Sequence, residues 1–178
     1  MNDLVEISDH DFNSVNIFSI AVIFIIMIFV LKSISLPIIL ICIIEFAIFI
    51  NMGIPYYTNT TLPFIASIVI GTIQLGATID YAILITTKYI QKRKEGKEKK
   101  EAVQFAVSTS VNSIFVSGLC FFGATFGVGV YSNIEMIGSL CALMGRGAIV
   151  STLTVALILP TFLMILDKII CKTTKGMA

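Results

Sequence analysis

Five long apolar runs constrain the fold of this chain more than any other feature of its sequence. The first run, from Val15 to Leu31, reads VNIFSIAVIFIIMIFVL. The other four cover residues 36–52, 63–87, 105–126 and 134–166. A helix that crosses a bilayer needs about 20 mostly apolar residues, within a range of roughly 17 to 25. Strands of a membrane barrel alternate in polarity over about 10 residues, so these uninterrupted runs predict helices.

The composition excludes a water-soluble globular fold. Hydrophobic residues make up 57% of the 178 residues and charged residues only 13%, whereas soluble domains are about half apolar and about a quarter charged. A soluble chain of this length would have to bury almost all of its side chains. We therefore predict an all-α, polytopic membrane helix bundle with five transmembrane helices, located in the cell membrane.

The cysteines do not indicate a metal site or a disulfide framework. There are four, widely separated and without a Cys-x-x-Cys pair: Cys42, Cys120, Cys141 and Cys171. A lone cysteine in an apolar segment usually acts as a small hydrophobic residue. We therefore expect neither a bound metal nor a cofactor.

The positive charges predict how the helices cross the membrane. Seven lysines and arginines lie within residues 88–104, another at Lys32, and three more follow the last apolar run. The alternate segments, 1–14, 51–62 and 127–133, contain no lysine or arginine. Positively charged loops remain in the cytoplasm. The pattern predicts an amino terminus outside and a carboxyl terminus inside.

The segments outside the predicted helices complete the domain organisation. Residues 1–14 are acidic and lack the basic start of a signal peptide, so we interpret them as the end of an extracytoplasmic segment and the chain as part of a larger protein. Residues 15–170 form the transmembrane bundle, 88–104 its basic cytoplasmic loop and 171–178 a cytoplasmic tail. The loop is interpreted as a solvated hinge or a short amphipathic helix. Nucleic-acid binding is not expected, because topology alone accounts for its charge.

Ionisable and polar residues occur at similar depths in different apolar runs. Helical rise places Asp80 about 12 Å, and Glu45 roughly 13 Å, from the inner ends of their helices. Ser113 lies about 12 Å into the fourth run, with Ser117 one turn further on the same face. Ionisable groups inside a membrane usually face the bundle interior or a water path. We therefore predict a shared polar layer, although each of these groups also has a purely structural interpretation.

One face of the third helix carries an ordered polar stripe. Thr72, Gly76 and Asp80 recur at helical spacing, and Tyr81 lies on the adjacent stripe. A glycine one turn before the acid predicts close approach of another helix. Desolvation disfavours a charged carboxylate, so an acid between packed helices suits a proton relay. The alternatives left open are a neutral structural Asp80, serines bonded to their own helix, and an interfacial or kink role for Arg146.

The motif-bearing segment resembles the membrane half of RND-superfamily transporters, in particular the MMPL-type branch. The resemblance rests on GTIQLGATIDYAILITTKY (71–89), with its Gly-x-x-x-Asp-Tyr pattern, and on VALILPTFLMILDK (155–168). It implies two halves of six helices each, with the five runs here as helices two to six. It also implies that Asp80 carries a proton, assisted by Tyr81, to power export of lipids, drugs or other amphiphiles.

The resemblance further implies the partners. A first helix, an extracytoplasmic domain and a second half would complete the transporter, in this polypeptide or another chain, and lipids and protons would be its ligands. The alternative function is a sterol-sensing-like lipid-binding or interaction module without transport. An intramembrane aspartyl protease is disfavoured, since the paired motifs of that class are missing, and we do not expect an enzyme.

Overall fold

The computed structural model describes the backbone of residues 2–58 and 64–174, and side chains for 14–58 and 69–174. All elements in this part of the chain are helical: α1 (Asn2–Leu31), α2 (Ser35–Thr58), α3 (Phe64–Lys94), α4 (Lys99–Tyr131), α5 (Glu135–Ile165) and α6 (Asp167–Thr173). Helices α1 to α5 are long and apolar enough to cross a membrane. The predicted all-α bundle with five membrane-spanning helices is confirmed. The predicted orientation and domain roles stay predictions, and residues 175–178 of the predicted tail lie outside the described residues.

The basic segment between the third and fourth apolar runs is mostly helical. Only residues 95–98 separate α3 from α4, because lysine, glutamate and glutamine are good helix formers outside the membrane as well. Gly96, with φ +80°, ends α3. The amides of Gly96 and Lys97 donate to the carbonyls of Arg93 and Lys92, at 3.0 and 3.2 Å. These two bonds form a Schellman motif, which a glycine in the left-handed conformation permits.

Helix α5 lies at the centre of the bundle. It packs against α2, α3 and α4, while α1 packs against α2 and α3, and α4 also contacts α3. The buried face of α5 is rich in small residues, among them Gly145, Gly147, Ala148 and Ser151. Lipid tails are as apolar as leucine, so helices associate in a membrane by close packing of small residues. This composition explains why α5 accommodates three neighbours.

The close contact between α4 and α5 depends on Gly118. A Cβ atom added there would lie 2.3 Å from the Oγ1 atom of Thr152 on α5. The sequence instead predicted close approach at Gly76. Within the described part of the chain a Cβ at Gly76 would meet no atom within 4 Å, so no helix of this bundle approaches there, and approach of a further helix stays a prediction. Spacing from Asp80 identified a glycine on an open face, because spacing alone does not show which face of α3 is covered.

Alanine substitutions should distinguish the tightly packed Gly118 from the exposed Gly76 by their effect on stability. We expect Gly118→Ala to lower the free energy of unfolding by about 2 kcal/mol, because overpacking a tight contact typically costs about 1–3 kcal/mol. Thr152 would have to rotate and release its 2.7 Å bond to the Ala148 carbonyl. Gly76→Ala is the matched control, and we expect no loss. Unfolding in mixed micelles, followed by circular dichroism, measures both, and equal losses would contradict this packing.

Candidate functional site

A groove of about 350 Å³ lies between α3 and α4. Successive turns of both helices contribute side chains to its walls, so the lining residues recur along each helix at about one-turn intervals. The lining residues are Ala77, Asp80, Tyr81, Leu84, Ser113, Ile114, Ser117 and Phe121. The groove therefore brings together the predicted acid, its tyrosine neighbour and both predicted serines.

The two walls of the groove place polar groups at the same depth. The helices run antiparallel from the turn at 95–98. Helical rise places Asp80 on α3 and Ser113 on α4 each about 21 Å from their ends at that turn. Asp80 is also about 12 Å from Lys88, the first cation of the basic segment. About two helical turns thus separate the acid from Lys88, and about four turns separate it from the end of α3.

The remaining predicted site residues do not border this groove. Glu45 lies on α2 and is half-buried, and its Oε1 atom is buried without a hydrogen-bond partner among the described residues. Thr72 and Gly76 are exposed on α3, as is Asp80. The sequence predicted an acid enclosed by packed helices. Within the described chain Asp80 is instead open on one side, because the stripe that carries it faces outward from the five-helix bundle.

The serines of the groove are available to a ligand or to water. In the part of the chain that the structure describes, Ser113 and Ser117 make no hydrogen bond to their own helix. By contrast, the hydroxyl of Thr109, one turn before Ser113 in the sequence, donates to the Phe105 carbonyl of its own helix at 2.7 Å. The groove thus presents a carboxyl, a phenol and two hydroxyls. No group of three or more histidine, cysteine or acidic side chains among the described residues is placed to hold a metal ion.

A buried polar network that the sequence analysis did not predict joins α2, α3 and α5. Asn51 is fully buried, and its Nδ2 donates to Gln74 Oε1 at 2.9 Å. Gln74 Nε2 in turn donates to Ser151 Oγ at 2.8 Å. A Cβ at Gly147 would lie 2.7 Å from both the Asn51 and the Gln74 side-chain amides. Glycine at this position leaves the space that the network occupies.

Arg146 completes this network by satisfying the backbone of α2. Pro55 lies inside α2 and has no N–H, so it cannot donate to the carbonyl four residues earlier. That carbonyl belongs to Asn51, and Arg146 Nη2 donates to it at 3.1 Å. Arg146 Nε also donates to Asn51 Oδ1 at 3.0 Å. The guanidinium therefore replaces the hydrogen bond that proline removes, as buried backbone in a membrane requires.

A second polar cluster fixes α6 against the end of α3. Arg93 forms two bonds of 2.9 Å to the carboxylate of Asp167, and the hydroxyl of Tyr89 donates to the same carboxylate. Arg93 also donates to the Lys97 carbonyl at 2.7 Å. Burial raises the pKa of Asp167, but hydrogen bonds from Tyr89, Arg93 and Cys171 outweigh it and hold that pKa below its ordinary value. Asp167 remains charged and joins α6 to the α3–α4 turn.

The bundle of long apolar helices and the acid-lined groove define the class: a multi-pass helical membrane protein. The sequence matches the MMPL family over residues 1–176. The chain belongs to the MMPL family, which confirms the resemblance to the RND superfamily. No curated protein and no solved structure matches it.

Proposed function

We propose that the chain supplies one proton-relay half of a proton-driven exporter of lipids, drugs or other amphiphiles in the cell membrane. The observation that supports this is the α3–α4 groove, in which Asp80 and Tyr81 face Ser113 and Ser117. An acid placed inside a membrane span, beside hydroxyls and open on one side, has the chemistry that proton uptake requires. The proposed role is coupling, and no bond of the exported molecule is changed.

In the proposed mechanism, protonation of Asp80 changes how the groove interacts with its surroundings. The charged carboxylate needs water or hydrogen-bond donors around it, and desolvation of that form is costly. Once protonated, the carboxyl donates a hydrogen bond instead, and the Tyr81 and serine hydroxyls can accept it. The neutral form tolerates closure of the groove, whereas the charged form favours an open, hydrated groove. This difference would couple proton transfer to helix movement.

The proposed partner is a second half that covers the open face of α3. Thr72, Gly76 and Asp80 are exposed there, and the missing side chain of Gly76 would let another helix approach closely. A first helix and an extracytoplasmic domain would complete the assembly, with the amino terminus outside. Glu45, at similar depth on α2, is proposed as a supporting carboxyl rather than as part of the relay.

The test is export driven by an imposed proton gradient. Membrane vesicles from cells that produce the transporter would be loaded with a fluorescent amphiphile, and its export would be followed after a pH step. We expect export to follow the gradient and to stop when a protonophore collapses it. In the control, a potassium diffusion potential of equal size replaces the proton gradient. Export that persists without a proton gradient would contradict the proposal.

A lipid-binding module without transport is the second candidate. The observation that favours it is the apolar part of the same groove, formed by Leu84, Ile114 and Phe121. A lipid chain could pack against these side chains without any proton transfer. Lipid binding that is insensitive to pH and unchanged by Asp80→Asn would support this candidate over an exporter.

A further inference from the structure

A second cavity, of about 390 Å³, lies beside the α3–α4 turn. It is separate from the groove that contains Asp80, and its lining is charged and polar on most sides. The lining residues are Lys92, Lys97, Glu101, Gln104, Phe105 and Ser108. Since clustered charges are excluded from hydrocarbon, this cavity lies at the level of the lipid headgroups on its side of the membrane.

The two lysines of the cavity are held in place by neighbouring side chains. Lys92 Nζ lies 4.6 Å from the centre of the Phe105 ring and 2.6 Å from Glu95. Lys97 Nζ lies 2.8 Å from Glu101 in an exposed pair one turn apart. Such exposed pairs are weak, because water screens the attraction and the two long side chains lose conformational freedom. An anion with more than one oxygen can therefore replace Glu101 as the partner of Lys97.

The surroundings of the cavity retain an excess of positive charge. Residues 88–104 contain seven lysines and arginines and three glutamates. Of the cations, Arg93 is neutralised by Asp167. The remaining excess attracts anions, and about four or more basic residues beside a transmembrane helix are typical of binding to anionic lipid.

A track along the outer face of α4 extends from the cavity and ends in two apolar side chains. Its residues are spaced by three or four positions: Phe105 and the polar Ser108 and Asn112 lie nearer the cavity, and Phe115 and Leu119 follow. The side chains of Phe115 and Leu119 are 39% and 63% exposed. A molecule with an anionic head in the cavity would therefore lay its apolar part along α4. Free phosphate has no group that would use this track.

We propose that this cavity binds the headgroup of an anionic phospholipid from the leaflet that borders the α3–α4 turn. The phosphate accepts hydrogen bonds from Lys92 and Lys97, and the Gln104 amide provides a further donor. Glu101 is displaced from Lys97, and one acyl chain packs along Phe115 and Leu119. The site is distinct from the proposed proton relay, because none of these residues lines the Asp80 groove.

The test is binding of phosphatidylglycerol with a fluorescent acyl chain to the full chain in neutral detergent, followed by anisotropy. We expect the wild type to prefer it to phosphatidylcholine with the same chain by about tenfold. Lys92→Gln with Lys97→Gln should weaken binding by about thirtyfold. The matched control, Lys94→Gln with Lys100→Gln, removes the same charge from exposed positions outside the cavity and should change affinity less than about threefold.

Three results would overturn the proposal. An equal loss in the control variant would show that charge in general, and not the cavity, attracts the lipid. Displacement of the bound lipid by inorganic phosphate at equal concentration would show a site for a free anion. Equal affinity for phosphatidylcholine, in which a choline cation compensates the phosphate, would show that the net negative charge of the headgroup does not determine binding. Retained helicity and elution volume establish that the variants are folded.

A gain of affinity provides an independent check that does not depend on loss of structure. Glu101→Gln removes the anion that competes for Lys97 and should strengthen binding by about threefold, the range of an exposed ion pair. The exposed Glu98, outside the cavity lining, offers a matched control in Glu98→Gln, which we expect to have a smaller effect. Unchanged affinity in Glu101→Gln would contradict the displacement of Glu101 by phosphate.

Discussion

Asparagine in place of Asp80 is expected to reduce proton-driven export by roughly 100-fold, the lower range for loss of a positioned proton-transfer group. Asparagine has nearly the shape of the protonated acid and can donate a hydrogen bond, but it cannot accept or release a proton. The groove should therefore keep its packing and lose its coupling. Export of a fluorescent amphiphile from membrane vesicles under a fixed pH gradient measures the effect.

Two further variants show whether the loss reflects the proton. Asp80→Glu keeps a titratable carboxyl in the groove of Ser113 and Ser117, and it should restore part of the export. Glu98→Gln makes the same chemical change outside the membrane spans and should leave export unchanged. Export above half of the wild-type rate in Asp80→Asn, still dependent on the gradient, would reject Asp80 as the proton carrier.

Methionine in place of Arg146 is expected to lower the free energy of unfolding by about 3 kcal/mol. Methionine keeps an unbranched side chain but has no donor, so the Asn51 carbonyl and side-chain oxygen both lose their bonds. An unsatisfied buried acceptor costs about 1–3 kcal/mol. The Asn51 carbonyl needs this bond because Pro55 has no N–H, and a double-mutant cycle with Pro55 tests that cause.

In the cycle, Pro55→Ala supplies the N–H that can bond the Asn51 carbonyl within α2. We expect Arg146→Met to cost about half as much in that background, a coupling of roughly 1–2 kcal/mol. Arg146→Lys keeps the charge but cannot bridge two acceptors with a planar fork, so it should fall between wild type and Arg146→Met. Unfolding in mixed micelles measures all variants. Identical costs in the two backgrounds would disprove the replacement of the backbone bond.

The fold was predictable because membrane helices are determined by local physics. A run of about 20 apolar residues satisfies its backbone within itself, so each helix could be recognised without knowledge of its neighbours. The ends were less predictable. Lysine and glutamate extend α3 to Lys94 and start α4 at Lys99, where apolarity no longer marks the helix. The short helix α6 depends on the contact between Asp167 and Arg93, two residues that are far apart in the sequence.

The candidate site was predictable to the same local extent. Helical rise placed Asp80 and Ser113 at one depth, with Tyr81 and Ser117 beside them, and the structure places all four in one groove. The prediction that Glu45 belongs to the same layer rested on its depth alone. Depth does not give the direction in which a side chain points, and Glu45 does not line the groove. The network of Asn51, Gln74 and Arg146 had one signal in the sequence, a proline four residues after an asparagine. Its partners on other helices became visible only in three dimensions.

The outward position of the acid has a mechanical consequence. The side chains that hold the five helices together, such as Leu40, Leu75 and Leu159, are buried elsewhere, and Asp80 sits on the rim. A neighbouring body can therefore slide or tilt across that rim and alternately wet and shield the carboxyl. The buried contacts that hold the five helices together can stay in place while the α3–α4 groove closes, so the unit can act as a stiff wall against which the other side moves.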